Sequence, residues 1–185
     1  MPNHSAKKIT VTRAGTTVAI LLTLLPTSQH AQEVPGLAVQ GPHGAAIYVN
    51  ADHKAGNDQY GYAGAFRAGG FVFVSGVVAG AWDGETLSDE ELRDAIRAAM
   101  SFAAQTLEAA GSSYDDVVEI VSFHVWDTPY YQGDKASQLD AIVDVKREYM
   151  QEPDPAWTAV GTTALVPDQG IIEIKLTAYS PLDED

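Results

Sequence analysis

The sequence predicts an α+β fold, a single sheet covered by helices, and three observations carry that prediction. Near the C-terminus, Ile172, Ile174, Leu176 and Ala178 alternate with Glu173, Lys175 and Thr177, the two-residue period of a strand with one apolar face. Earlier, Gly69-Gly70 separates two strand-like runs, Ala63 to Ala68 and Phe71 to Ser75, and permits the positive φ values of a two-residue hairpin turn. Between these stretches, Ser88 and Glu91 form a capping box ahead of Leu92, Ile96, Ala99, Ala103 and Leu107. Those five residues make one apolar stripe at helical spacing, and Gly111 ends it.

From the N-terminus, residues 1–31 read as an export signal. Lys7, Lys8 and Arg13 supply a basic start, Ala14 to Leu25 a mostly apolar run too short to span a bilayer, and Ser28 to Ala31 a cleavage region. Bacterial export to the periplasm, or secretion, is the expectation, with no membrane association after cleavage. The remainder is one domain's worth of chain, with an arm at 32–44 and a folded unit at 45–182.

The formal net charge is −14, and removing the leader's bases makes it more negative. Such a surface repels phosphate backbones, so nucleic acid is not an expected partner. With no cysteine there is no disulfide, thiolate nucleophile or thiolate metal site, and neither a metal nor an organic cofactor is implied. His43 and His53 have no second histidine at ligand spacing and read as surface residues.

Residues 46–50 form a strand candidate, and the polar segment 51–59 reads as a loop. After the first helix, Asp116 to Trp126 is long enough for a central strand. Val117, Val121, Phe123 and Val125 lie on one face with Glu119, while Ile120, Ser122, His124 and Trp126 mix apolar and polar groups on the other. That mixed face suits a subunit seam. For His124 the readings are an interface histidine, a catalytic proton carrier or simple exposure, with the first favoured. A second helix from Lys135 to Tyr149 is expected to turn Leu139, Ile142, Val143, Lys146 and Tyr149 inward, and Glu152-Pro153-Asp154-Pro155 leads into the last two strands. With two helices on one face of the sheet, self-association is the economical cover for the other.

Three blocks, GYAGAFRAGGFVFVSG at 61–76, LEAAGSSYDDVVEIVSFHVWD at 107–127 and PAWTAVGTTALVPDQGIIEIKLTAYSP at 155–181, resemble the RidA/YjgF family. The resemblance implies a chorismate-mutase-like fold, a homotrimer around a central barrel, and small-molecule clefts at the subunit interfaces where enamines or imines are hydrolysed. By motif, the family's cleft tyrosine falls on Tyr62, its serine on Ser75 and its glutamate on Glu173. Phe73, or its neighbour Phe71, adds an aromatic side chain to that cleft. The family's carboxylate-gripping arginine falls on Trp157, and a glutamine that often follows the tyrosine falls on Gly64. An indole has one N–H, no charge and a large apolar face. The resemblance therefore implies a possible enamine or imine deaminase whose substrate lacks a carboxylate, with Glu173 handling the attacking water. The other readings are a non-catalytic exported trimer that binds a small apolar ligand or a protein, and, against the charge, a ribonuclease. Arg67 and Lys175 are the candidate cations to fill the place of the missing arginine.

Overall fold

The computed structural model describes residues 34–181, and the expected leader lies outside them. Seven strands form one sheet: β1 (Leu37–Gly41), β2 (Gly44–Tyr48), β3 (Ala65–Ala68), β4 (Phe71–Gly80), β5 (Val117–Val125), β6 (Ala156–Thr162) and β7 (Gly170–Tyr179). Their spatial order is β1-β2-β3-β4-β7-β5-β6. All neighbours are antiparallel except β5 and β6. That parallel pair is joined by a helical crossover, as parallel neighbours require. The helices are α1 (Ala51–Asp58), α2 (Asp89–Ala109) and α3 (Lys135–Tyr149). None among the described residues is long and apolar enough to cross a membrane.

The predicted hairpin is present, with φ of +57° at Gly69 and +83° at Gly70. The capping box at Ser88 and Glu91 also forms, and Leu92, Ile96, Ala99, Ala103 and Leu107 are all buried. They pack against Val72, Val74, Ile172, Ile174 and Leu176, the apolar faces of β4 and β7. Each large aliphatic side chain so buried contributes about 1.5–3 kcal/mol.

Four expectations need correction. Residues 51–58 are a helix, not a loop: Asn50 accepts from the His53 N–H as N-cap, and the segment is polar because little of it meets the core. His53 is consequently half-buried rather than a surface residue, edge-on to Phe102 and accepting the Val49 N–H at Nδ1. On α3 the inward stripe is Gln138, Ala141, Ile142 and Val145, displaced from the predicted one because a buried glutamine disguises it. On β5 the mixed face is the inward one. Ile120, Ser122 and His124 are buried within the chain, so His124 is an interior residue and not a subunit-seam histidine.

The other sheet face is uncovered by helices and carries Phe66, Phe71, Phe73 and Tyr179, each roughly two-fifths to one-half exposed. Phe71 stacks on Phe73 and packs against Tyr179.

Arg67 points away from this face. Its guanidinium donates to the carbonyls of Ala110 at 2.9 Å, Gly111 at 3.1 Å and Ser180 at 2.6 Å. The first two are orphan carbonyls at the end of α2, where a cation also complements the helix dipole. Arg67 is only 7% exposed and is spent on this cap, so it does not serve as a substitute anchor. Arg67→Ala is expected to lower stability by about 3 kcal/mol, since buried acceptors are left unpaired. Urea denaturation with an unchanged midpoint would contradict this account.

Candidate functional site

Glu173 sits in the middle of β7 on the uncovered face, opposite Phe123 of β5. Its neighbour across the sheet is β4, where the register slips between Val74 and Val77, so that Ser75 and Gly76 together oppose Lys175. This bulge opens a place for the carboxylate. A Cβ built on Gly76 would stand 1.8 Å from Glu173 Oε1, so the side chain lies across bare backbone that no other residue type leaves clear. Glu173 is half-buried, and burial alone raises its pKa above the ordinary carboxylate range. Among the described residues no hydrogen bond or ion pair engages its oxygens.

Ser75, the other residue of the bulge, is fixed by two hydrogen bonds. Its Oγ donates to the Ala63 carbonyl at 2.7 Å, and its N–H donates to the Gly64 carbonyl. Those bonds hold the segment that follows Tyr62, which is itself 48% exposed. Phe73 lies two residues before Ser75 on the uncovered face, paired with Thr177. Phe73, Ser75 and Glu173 therefore lie on the neighbouring strands β4 and β7, Tyr62 precedes the Ala63 carbonyl that Ser75 engages, and Gly76, not singled out by the sequence, underlies the carboxylate. Lys175 is exposed on the same face.

Trp157 is placed elsewhere. On the edge strand β6 it pairs with Ile120, and paired residues share a face, so its indole lies on the helix side of the sheet. It packs half-buried against the core, and its Nε1 donates to Ser122 Oγ at 2.9 Å. Within one chain Trp157 and Glu173 are on opposite faces.

Ser122 Oγ also lies 2.8 Å from His124 Nε2. Gln138, from the first turns of α3, donates its amide N–H to the Val125 carbonyl at 2.9 Å and borders the same imidazole. His124 is fully buried, and burial pushes its pKa down to about 4. His124 ionises near 6.5 in the unfolded chain, so the unfolded state binds more protons between pH 6.5 and 4. Stability is therefore lost as pH falls through that window, by on the order of 2–3 kcal/mol for this group. Replacing His124 with Gln is expected to flatten the pH dependence of the urea midpoint there. An equally steep loss in the variant would show that other groups cause it.

Among the described residues no group of three or more acidic, histidine or cysteine side chains is arranged to hold a metal ion.

A mixed, mostly antiparallel sheet with a bulge-seated glutamate on its open face and two helices packed behind it defines a class of small α+β proteins. The profile of the family described as Endoribonuclease L-PSP matches residues 54–180, and the chain belongs to this family, which includes the RidA/YjgF proteins. The chain is 35% identical over 124 residues to the RutC family protein YjgH of Escherichia coli (strain K12), spanning 66% of this chain and 86% of that one. A solved structure of protein YJGH superposes with a TM-score of 0.55 at 31% identity, covering 81% of this chain and all of that one. Rv2704 of Mycobacterium tuberculosis, a YjgF/YER057c/UK114 family member, superposes with a TM-score of 0.53 at 22% identity over 66% of this chain and 90% of its own, which speaks to fold alone. The family and the chorismate-mutase-like fold are thereby established, and β1 and β2 lie before the matched region.

Proposed function

We propose that the protein is an exported, homotrimeric imine or enamine hydrolase acting on a small substrate without a carboxylate. The carrying observation is Glu173, a half-buried carboxylate of raised pKa laid over Gly76 on an exposed sheet face. In the reaction Glu173 accepts a proton from water as the oxygen bonds to the carbon of the protonated imine, to which an enamine first tautomerises, and the C=N π pair moves onto nitrogen. The resulting carbinolamine collapses when the nitrogen is protonated and leaves as ammonia, giving the carbonyl product. Glu173 recovers its unprotonated form by passing the proton on.

Assembly is supported by the aromatic strip Phe66, Phe71, Phe73 and Tyr179, since monomers rarely leave a contiguous apolar face in water. In this reading Trp157 and Glu173, on opposite faces within one chain, meet in one cleft through a second copy. A monomer by light scattering would remove this part of the proposal, and retention of residues 1–31 on the mature chain would remove export. RNA cleavage, the activity in the family's description, is disfavoured by 25 acidic against 11 basic residues.

The test is ammonia release from imines generated in situ by an oxidase. Faster turnover of imines from simple amines than of 2-iminopropanoate is expected. No turnover across such a panel, with ligand still bound, would leave a binding protein instead, and preference for the acid would overturn the substrate assignment.

A further inference from the structure

Trp157 donates its only polar hydrogen to Ser122 Oγ, and that choice propagates. An indole N–H donates and never accepts, so Ser122 Oγ is the acceptor and keeps its own proton to give. The imidazole Nε2 of His124 stands 2.8 Å away to receive it. Nε2 is then bare and Nδ1 carries the ring proton. Gln138 donates its amide N–H to the Val125 carbonyl, which fixes the amide so that its Oε1 is the free end. His124 Nδ1 and Gln138 Oε1 are buried and are the atoms left over, one a donor and the other an acceptor, on adjoining side chains. The protons of the two bonds then run in one direction, from the indole through the hydroxyl to the imidazole, and the imidazole N–H and the amide oxygen are left as complementary unpaired neighbours. Ser122, His124 and Gln138 are all fully buried, so water does not compete with any of these bonds.

We infer that Ser122, His124 and Gln138 are positioning residues that lock the Trp157 indole with its N–H turned inward, and that the locked indole selects planar iminium-type cations lacking a carboxylate. The selection rests on the imine-hydrolase reading; the locking does not. With its N–H spent, the only group left on Trp157 to meet a ligand in the proposed cleft is its π face, which attracts cations and has nothing to give an anion. A protonated imine is planar and cationic, and the chain's net charge of −14 draws such species while repelling acids. The reaction supplying the substrate is then oxidation of an amine rather than of an amino acid.

The locking is read without substrate, by proton exchange of the three indole N–H groups in the 15N-labelled protein, with Trp157→Phe assigning the resonance. Slow exchange at Trp157 against fast exchange at Trp82, which is 59% exposed, is expected. Ser122→Ala should speed Trp157 exchange about tenfold, while Ser122→Thr, which keeps the hydroxyl, should not. Exchange at Trp157 as fast as at Trp82, or unchanged in Ser122→Ala, would overturn the lock. Selection is read by binding of phenyltrimethylammonium and of benzoate. The cation should bind more tightly, and Trp157→Leu, which leaves net charge unchanged, should weaken it about fivefold or more. Equal binding by Trp157→Leu, or no binding by the native protein, would overturn the selection while leaving the lock and the hydrolase reading to their own tests.

Discussion

Glu173→Gln is expected to lower kcat/KM for imine hydrolysis by about 10²–10⁴-fold, the usual worth of a positioned general base. The amide keeps the shape that lies across Gly76 but cannot take a proton from water. Because burial raises the Glu173 pKa, the proposed activity of the native protein should be lost as pH falls through that raised value, where the base becomes protonated. The variant's residual activity should lack this acid limb. Stability should move the opposite way. A carboxyl with a raised folded pKa holds more protons folded than unfolded, so its contribution declines as pH rises from the ordinary carboxylate range through the raised pKa. Glu173→Gln removes that decline and should be neutral or slightly stabilising. Gly76→Ala makes the companion test, because its Cβ would collide with the carboxylate and displace it. Native-like kcat/KM in Glu173→Gln would remove this residue from the mechanism.

Trp157→Arg is expected to reverse substrate preference. A guanidinium binds a carboxylate through two charge-assisted hydrogen bonds, on the order of 3 kcal/mol, or over a hundredfold in affinity. The ratio of kcat/KM for 2-iminopropanoate to that for an uncharged-chain imine should therefore rise about a hundredfold. The variant loses the indole's bond to Ser122 and part of its packing, so some stability is lost too, while the arginine stem can cover part of the same apolar surface. An unchanged ratio would mean that Trp157 is not at the substrate. Neither remaining candidate cation interferes with the reading: Arg67 is committed to the end of α2, and Lys175 is present in both proteins.

The strands and helices were legible wherever one periodic face meets one core. β7 alternates cleanly because Ile172, Ile174 and Leu176 are all buried behind it, and α2 announces both its cap and its stripe. The short helix α1 was not legible, since its polar residues carry no stripe and only the Asn50 cap reports its start. For β5 the alternation was read correctly but its polarity was inverted: Ser122 and His124 are tolerated inside because Trp157 and Gln138, far off in sequence, meet that same buried patch.

The candidate site divides in the same way. Residue types and spacing single out Glu173 as a charged residue in mid-strand, while Trp157 is marked only by the family resemblance. They do not show that a bulge at Ser75 and Gly76 seats the carboxylate, or that the indole faces the helices. The sequence by itself determined the fold class and the capped helix and marked the candidate groups, because periodicity and side-chain chemistry are local properties. The tertiary structure alone decided which sheet face each group occupies and what holds it there. Strand register and cross-strand hydrogen bonds join residues such as Ser122 and Trp157, whose partnership no local pattern encodes.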